Sequence, residues 1–311
     1  MKPAAECDVT DTGALLKYRD LRVTAFELLR GDEDHSIWEQ MVTLFWRDAT
    51  YRVFNEARRT ASEARPNAAI SGLLGEYIDA AYILFEVTAI SRLTDQPQDD
   101  PERGLVSLPT ILKLVRDNRS LITREMFVAF DGVPYDPIPV APAEHFTGVR
   151  WVAREPWEVS EERHTLFDRL SRRTPDRRTR QDQVHRKVLA SIADRLSSPT
   201  LSVIRSHRNK VISHAADHAS RAGLSPLALS LASIDVAHRS LLEATETLAT
   251  ILIGEILIGG PVPQPQYDFL DKLDMPFVFQ DDLAGLNDHF STHLLERERW
   301  SRNAVEEVLG R

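Results

Sequence analysis

One stretch of the chain, Ser202 to His218, combines a helical apolar pattern with side chains that bind anions and exchange protons. On a helix of about 3.6 residues per turn, one face carries Leu201, Ile204, Val211, Ile212 and Ala215. Arg208 lies in the middle of this face, and His207, His214 and His218 lie together along its edge. A guanidinium among aliphatic side chains is costly unless it meets an anion, and imidazole titrates near neutral pH. The stretch therefore predicts a functional site.

The sequence also leaves two structural roles open for Arg208. Its methylene groups can follow the apolar surface while the charged group reaches solvent, or the guanidinium can pair with a buried carboxylate. Structural ion pairs occupy such positions as often as functional sites do, so the apolar pattern alone does not choose between these roles.

Metal binding is a further alternative for the same histidines. His214 and His218 are four residues apart on one helix face, and His207 lies one heptad before His214, a spacing that can hold zinc. However, no glutamate follows His214, so the pattern is not H-E-x-x-H, and the only cysteine is Cys7. We therefore expect no bound metal and no cofactor.

The elements around this stretch predict an all-α fold. Ser36 and Glu39 form a capping box that starts a helix from Ile37 to about Ala61, and a second helix runs from Ala68 to about Leu93. A short polar turn joins the two helices, so they form an antiparallel hairpin. The residues expected to face inwards on the second helix are Leu73, Tyr77, Ala81, Leu84 and Phe85.

Further along the chain, Ser107 caps a short helix, and the helical period then disappears over residues 124–158, which we expect to form an irregular insertion. Ser160 is expected to cap a helix that ends near Ser171, and Ser198 to open the helix that carries Arg208. The last long helix is predicted from about Ile234 to Leu257. These elements indicate a helical domain over residues 12–260 and a C-terminal extension with a terminal helix over 261–311.

Four segments together resemble a known family. The segment from Arg208 to His214 resembles the R-polar-x(n)-H signature of the HEPN superfamily of all-α proteins. The segments Ile90 to Asp95 and Ser107 to Leu112 are similar to an I-S-R-L-x-D and S-L-x-x-L pattern in the AbiU-type abortive-infection branch. Ile37 to Met41, with its tryptophan, also fits that branch. The resemblance covers roughly residues 20 to 250.

The resemblance implies a HEPN-like helical bundle that acts as a homodimeric, metal-independent endoribonuclease in prokaryotic abortive-infection or toxin-type defence. It assigns phosphate stabilisation to Arg208 and proton transfer to His214, and we expect Asn209 to orient His214 or a phosphate. An antitoxin or nucleotidyltransferase partner is left open. The alternative is a non-catalytic binding or dimerisation module, in which Arg208 anchors a phosphate or an interface.

The charge distribution bears on RNA binding. The formal net charge is −9, which is not typical of a nucleic-acid-binding protein. Residues 163–187, however, contain nine arginines or lysines against three aspartates. This basic segment predicts steering of an RNA backbone, although solvated charge runs are also common. The residues predicted to contact RNA are Arg177, Arg178, Arg180, Arg205, His207 and Lys210.

The sequence further predicts a cytoplasmic protein without a membrane segment. The first ten residues lack the apolar core of a signal peptide. The longest apolar run, Leu248 to Ile258, is interrupted by Glu255 and is too short to cross a bilayer. A single cysteine excludes an intramolecular disulfide and fits a reducing compartment.

Overall fold

The fold is described by a computed structural model. It covers residues 1–64, 73–97, 104–137, 154–212 and 229–260, with scattered residues between 262 and 298. In these ranges no strand occurs, apart from an isolated bridge between Thr123 and Gln183, and the predicted all-α fold is confirmed. The α-helices are α1 (Thr12–Phe26), α2 (Ile37–Ala64), α3 (Leu73–Thr94), α4 (Leu108–Asp117), α5 (Arg124–Ala129), α6 (Pro156–Ser171), α7 (Arg186–Leu196), α8 (Pro199–His207) and α9 (Leu231–Ile253).

Helices α2 and α3 form the predicted antiparallel hairpin. The Ser36 hydroxyl accepts a hydrogen bond from the Glu39 backbone N–H, so α2 begins at the predicted cap. Tyr51 of α2 donates to Asp79 of α3 at 2.8 Å, and Tyr82 of α3 donates to Asp48 of α2 at 2.5 Å. Later residues of α2 therefore contact earlier residues of α3, so the two helices are antiparallel.

The prediction of which α3 residues face inwards is wrong. Tyr77 is 71% exposed and Leu84 is also exposed, whereas Val87 and Ile90 are fully buried. Helix α3 is apolar on nearly every side, so its pattern does not select one face. Its orientation follows instead from a polar contact: the fully buried Glu86 lies 2.9 Å from His238 of α9.

Helix α9 is the central element of the core, because it packs against α1, α2, α3, α4, α7 and α8. It begins at Leu231, three residues before the predicted start at Ile234. It ends at Ile253, four residues before the predicted Leu257, because Gly254 adopts a left-handed conformation with φ of 74°. Arg22 of α1 donates to the backbone oxygens of Leu252 and Ile253, both at 2.8 Å. These bonds satisfy the last carbonyls of the helix.

The predicted irregular insertion over 124–158 contains a helix, which corrects the sequence prediction. Helix α5 begins after a Thr123 cap, and all six of its residues are buried. The prediction failed because Arg124 and Glu125 look like surface residues in the sequence. Helix α6 begins at Pro156 rather than at a Ser160 cap, and the buried Ser160 hydroxyl donates to the Tyr135 carbonyl. Residues 138–153 lie outside the described residues.

Arg124 is the centre of a buried polar network that joins α5, α6 and the segment before α7. Its side chain is 0% exposed and forms ion pairs with Asp168 at 2.8 Å and with Asp182 at 3.1 Å. It also donates to the His164 carbonyl and the Ser171 hydroxyl, both at 3.1 Å. Two carboxylates and two neutral acceptors thus compensate the buried charge.

The contacts divide the chain into two compact units, Met1–Pro263 and Gln264–Arg311. In the second unit, residues 291–298 are helical. None of the described helices combines the length and the apolar character needed to cross a membrane.

Candidate functional site

The helix that carries Arg208 changes its geometry at this residue. Ser198 caps α8, as predicted, and the α-helix ends at His207. A π-helical turn, Arg208–Ile212, continues it. This turn is wider by one residue, so later side chains rotate away from their α-helical positions. Val211, predicted on the apolar face, is therefore 44% exposed, and the expectation of one regular helix is corrected.

The guanidinium of Arg208 lies between a carboxylate and an amide. Its Nη1 donates to Asp95 Oδ2 at 2.7 Å, and its Nε and Nη2 donate to Asn209 Oδ1 at 3.0 and 2.9 Å. The side chain is 21% exposed and that of Asp95 is 26% exposed. Arg208 is thus paired with a partly buried carboxylate, one of the two structural roles that the sequence left open, and still reaches solvent.

The contacts of Arg208 with described residues leave part of its hydrogen-bonding capacity unused. A guanidinium has five N–H donors, and these contacts engage three of them. One N–H on each Nη atom is left for a further acceptor. Two neighbouring N–H groups match two oxygens of a phosphate, so the geometry suits a bidentate contact with this anion.

Three of the four segments that carry the family resemblance meet at this point: the end of α3, the start of α4 and the segment that begins at Arg208. Arg205 donates to the carbonyl of Thr94, the last residue of α3, at 3.1 Å, and Arg208 pairs with Asp95, the next residue. The Ser107 hydroxyl donates to the Asp95 carbonyl at 2.7 Å and caps α4. Because Asp95 is held by its backbone from α4 and by its side chain from the π-turn, it fixes the position of Arg208.

The remaining residues of the predicted motif differ in how far the structure describes them. Asn209 is exposed and oriented by Arg208, and Lys210 is partly buried. Burial lowers the pKa of His207 from its usual value, which favours the neutral ring at pH 7. His214 and His218 lie outside the described residues, so the predicted roles of His214 and the zinc alternative stay predictions.

The basic segment is more strongly paired than its sequence indicates. Arg178 contacts Asp168 at 2.8 Å and Glu161 at 3.2 Å, and Arg180 contacts Glu125 at 2.8 Å and Asp8 at 3.0 Å. These arginines link secondary-structure elements. Arg177 is 75% exposed, with only a loose contact to Asp176. The structure does not join these three residues to Arg208 by any described contact.

The arginines of this segment lower the pKa of a carboxylate with which they pair. Burial raises the pKa of Asp168, but hydrogen bonds and charges from Arg178 and Arg124 outweigh it, so the pKa lies below the usual value. Asp168 is therefore ionised at neutral pH and offsets much of the positive charge of Arg178. A structural role accounts for this pair without any bound ligand.

One group of three possible metal ligands occurs in the part of the chain that the structure describes. Asp32, Asp34 and His35 lie close together on an exposed loop. Asp32 Oδ1 already accepts backbone hydrogen bonds from Asp34 and His35, and these bonds lower the pKa of Asp32. The cluster is explained by this turn, in which the Asp32 side chain accepts the backbone N–H groups.

Asp95 is the site residue that sequence reasoning missed. It lies in a segment that resembles the family pattern, yet no feature of the sequence assigns it a role beside Arg208. The only signal was a carboxylate at the end of a predicted helix, and such residues are common. Its pairing depends on a contact across 113 positions of the chain.

Comparison with known proteins identifies the family of the chain. The family model HEPN_AbiU2, described as AbiU2, matches residues 35–266, a span that includes Asp95, Ser107 and the segment from Arg208 to His214. No curated protein and no solved structure matches the chain significantly. Because the matched region is more than half of the sequence, the chain belongs to the AbiU2 family of HEPN proteins.

Proposed function

We propose that this protein is a metal-independent endoribonuclease of abortive-infection defence, acting through the R-N-x4-H motif from Arg208 to His214. The observation that carries the proposal is the guanidinium of Arg208, which Asp95 and Asn209 hold at the π-turn, with two N–H donors that no described residue accepts. π-turns inside helices are frequent at functional sites. The defence role is supported by membership of the AbiU2 family.

The proposed reaction needs a base, a cation and an acid. The base removes the proton of a ribose 2′-hydroxyl, whose oxygen attacks the adjacent phosphorus. The bond from phosphorus to the 5′-oxygen breaks, and the acid protonates this leaving group. The products are a 2′,3′-cyclic phosphate and a 5′-hydroxyl. Arg208 stabilises the additional negative charge on the phosphorane, and His214 transfers protons.

A dimer brings these groups together better than one helix does. On a regular helix, Arg208 and His214 would be about 9 Å apart along the axis, and the turn Arg208–Ile212 departs from that regular geometry. A two-fold axis beside the motif would place Arg208 of one protomer near His214 of its partner. We therefore propose a homodimer whose RNA cleft lies between two motifs.

A non-catalytic module is the second candidate, and one observation favours it. The carboxylate of Asp95 already balances the charge of Arg208 at 2.7 Å, as in a purely structural ion pair. In this alternative, Arg208 anchors an interface or a phosphate, and His214 has no essential part. An antitoxin or nucleotidyltransferase would be a suitable partner for either form of the protein.

The test is cleavage of total RNA and tRNA by the purified protein in EDTA, beside the variants R208A and H214A. We expect products that end in 2′,3′-cyclic phosphate, and loss of these products in both variants. Cleavage that survives H214A would remove His214 from the mechanism. A wild-type protein that binds RNA without cutting it, and loses binding only in R208A, would support the non-catalytic module.

A further inference from the structure

We propose that a basic groove along α4 binds the phosphodiester backbone of RNA and directs the strand towards Arg208; this inference rests on the proposed function. The groove consists of three depressions that share lining residues. Arg116 and Asp117 line the first two, and Arg119 and Gln183 line the second and third. Because these residues line two depressions each, the three depressions adjoin one another in a row.

One end of the groove lies beside the Arg208 site. The first depression, of about 370 Å³, is lined by Gln96 and Pro97, which directly follow Asp95. It continues along α4 from Pro109 to Arg116, with the end of α7 as its other wall. Helix α4 has ten residues and spans about 15 Å. The groove therefore runs away from Asp95 over a length that accommodates several phosphates.

The other end of the groove contains most of its positive charge. The second depression includes Arg119 and Arg186, and the third extends to Arg172 and Arg173. Their volumes are about 500 and 480 Å³. Arg119 is fixed by a hydrogen bond from its Nε to the Val184 carbonyl at 2.7 Å. Its two Nη groups are therefore presented by a side chain that is already ordered.

The arginines of the groove differ from Arg178 and Arg180 in their charge balance. Four of its five arginines, namely Arg116, Arg119, Arg172 and Arg186, form no salt bridge with any carboxylate that the structure describes, whereas Arg173 contacts Asp182 at 3.4 Å. The two acidic residues in the lining already have cationic partners. Asp117 pairs with Lys113 at 2.7 Å, and the buried Asp182 pairs with Arg124. In a protein of net charge −9, this concentration of uncompensated cations indicates a polyanionic ligand.

Arg172 supplies an independent indication. It is the only non-glycine residue with a positive φ among the described residues, with φ of 55° at the end of α6. Glycine is the usual residue at this position, because a Cβ is unfavourable there. The side chain of Arg172 forms no hydrogen bond or ion pair with the described part of the chain. In the proposed groove, the side chain of Arg172 serves the RNA backbone, which accounts for an arginine at a position that favours glycine.

The lining favours RNA over an acidic protein. Guanidinium, amide and hydroxyl groups predominate among its polar side chains, and aliphatic residues such as Leu112 and Leu189 complete the lining. The three depressions contain no Phe, Tyr or Trp. Planar guanidinium groups fit the oxygens of successive phosphates. Without an aromatic surface for stacking, the groove contacts the backbone rather than the bases, so it contributes affinity without sequence preference.

The experiment measures fluorescence anisotropy of a short single-stranded RNA with 2′-O-methyl sugars, which binds but has no nucleophile for cleavage. The double variant R116Q/R186Q is compared with K17Q/R154Q, which removes the same charge from exposed positions outside the groove. We expect at least roughly tenfold weaker binding for the groove variant and no change for the control. The slope of log K against log salt should fall by about 1.4 for two lost contacts.

A second variant separates binding from folding. R172G removes the side chain and relieves the backbone, so its melting temperature should be equal to or above that of the wild type, while RNA binding weakens. If the wild type and both groove variants bind RNA equally well, the groove is not the RNA-binding site, even if the protein cleaves RNA. If an acidic peptide of equal charge competes as well as RNA, the assignment to RNA is also overturned. If RNA binding depends on the groove but the protein does not cleave unmodified RNA, the groove is supported as a binding site and the proposed ribonuclease activity is contradicted.

Discussion

Asp95 fixes the position of Arg208 without being placed to react itself. In D95N the shape is kept but the charge is lost, so the guanidinium loses its strongest fixed partner. We expect RNA cleavage to fall by roughly tenfold to a hundredfold, because misplacement of a reacting group has costs of this order. The measurement is the single-turnover rate with saturating RNA.

The stability of the same variant provides the control. The Arg208–Asp95 pair is partly exposed, so its loss should change the free energy of unfolding by at most about 1 kcal/mol. D95E, which keeps the charge, should recover part of the rate. If D95N cleaves as fast as the wild type, Asp95 has no positioning role, and the pair is only structural.

At the residue scale, the sequence predicted Arg208 because its charge interrupts an apolar face. It did not predict the partner, since Asp95 is adjacent only after α3 and α8 have packed. The same limit applies to Arg178 and Arg180. Their charges suggested RNA contacts, but Asp168 and Glu125 balance them in the folded protein. Charge can be read from a sequence, whereas charge compensation depends on contacts between distant positions.

Helices α2, α3 and α9 meet around a second group of buried polar side chains. His238 of α9 contacts Glu86 at 2.9 Å and lies 3.9 Å from Asp48. Asp48 also accepts hydrogen bonds from Tyr82 and Arg52. Burial raises the pKa of Glu86, although His238 opposes this effect. The Glu86 Oε1 atom has no hydrogen-bond partner among the described residues.

This raised pKa makes the packing of the three helices dependent on pH. Unfolded glutamate has a pKa of about 4.3. Between that pH and the higher pKa in the folded state, the folded protein holds a proton that the unfolded chain lacks. The free energy of unfolding therefore falls as pH rises through this window. E86Q removes the titrating group, so the fall should become shallower in urea unfolding followed across pH.

The matched control for this prediction is E76Q, an exposed position on the same helix with the same change of charge. It should leave the pH dependence as it is in the wild type. An E86Q profile that is indistinguishable from the wild-type profile would show that Glu86 does not titrate over the measured range.

At the scale of elements, the sequence predicted the α2–α3 hairpin, the Ser107 and Ser198 caps and the start of α8. These features depend on local signals that sequence contains. It missed α5, because Arg124 and Glu125 are buried through ion pairs with distant residues. It also missed the π-turn, since an α-helical projection assumes a constant number of residues per turn.

For the whole molecule, the dimer is the prediction that matters most for catalysis. If Arg208 of one protomer acts with His214 of its partner, a heterodimer of R208A and H214A contains one intact site. Mixing the two inactive variants, with time for subunit exchange, should therefore restore cleavage. Each variant alone should stay inactive. Absence of recovery in a mixture that demonstrably contains heterodimers would mean that each site uses residues of one protomer.

The charge of the whole molecule is a poor guide to its surface. The sequence contains a basic segment within an acidic protein, but its composition does not show which of these charges are paired. The fold then pairs Arg178 and Arg180 internally and leaves Arg172 and Arg186 without a described carboxylate partner. It also adds Arg116 and Arg119 from a different part of the chain. No window of the sequence contains this grouping.

The Arg124 network has a consequence for the entropy of binding. Through Asp182 and Ser171, it connects the two segments that carry Arg172 and Arg173 on one side and Arg186 on the other. His185 also donates its backbone N–H to the Leu170 carbonyl at 2.9 Å. The spacing of these groups is thus set by buried hydrogen bonds before any ligand arrives. A polyanion that binds there loses little affinity to ordering the protein, and the fixed spacing favours ligands whose charges repeat at a matching interval.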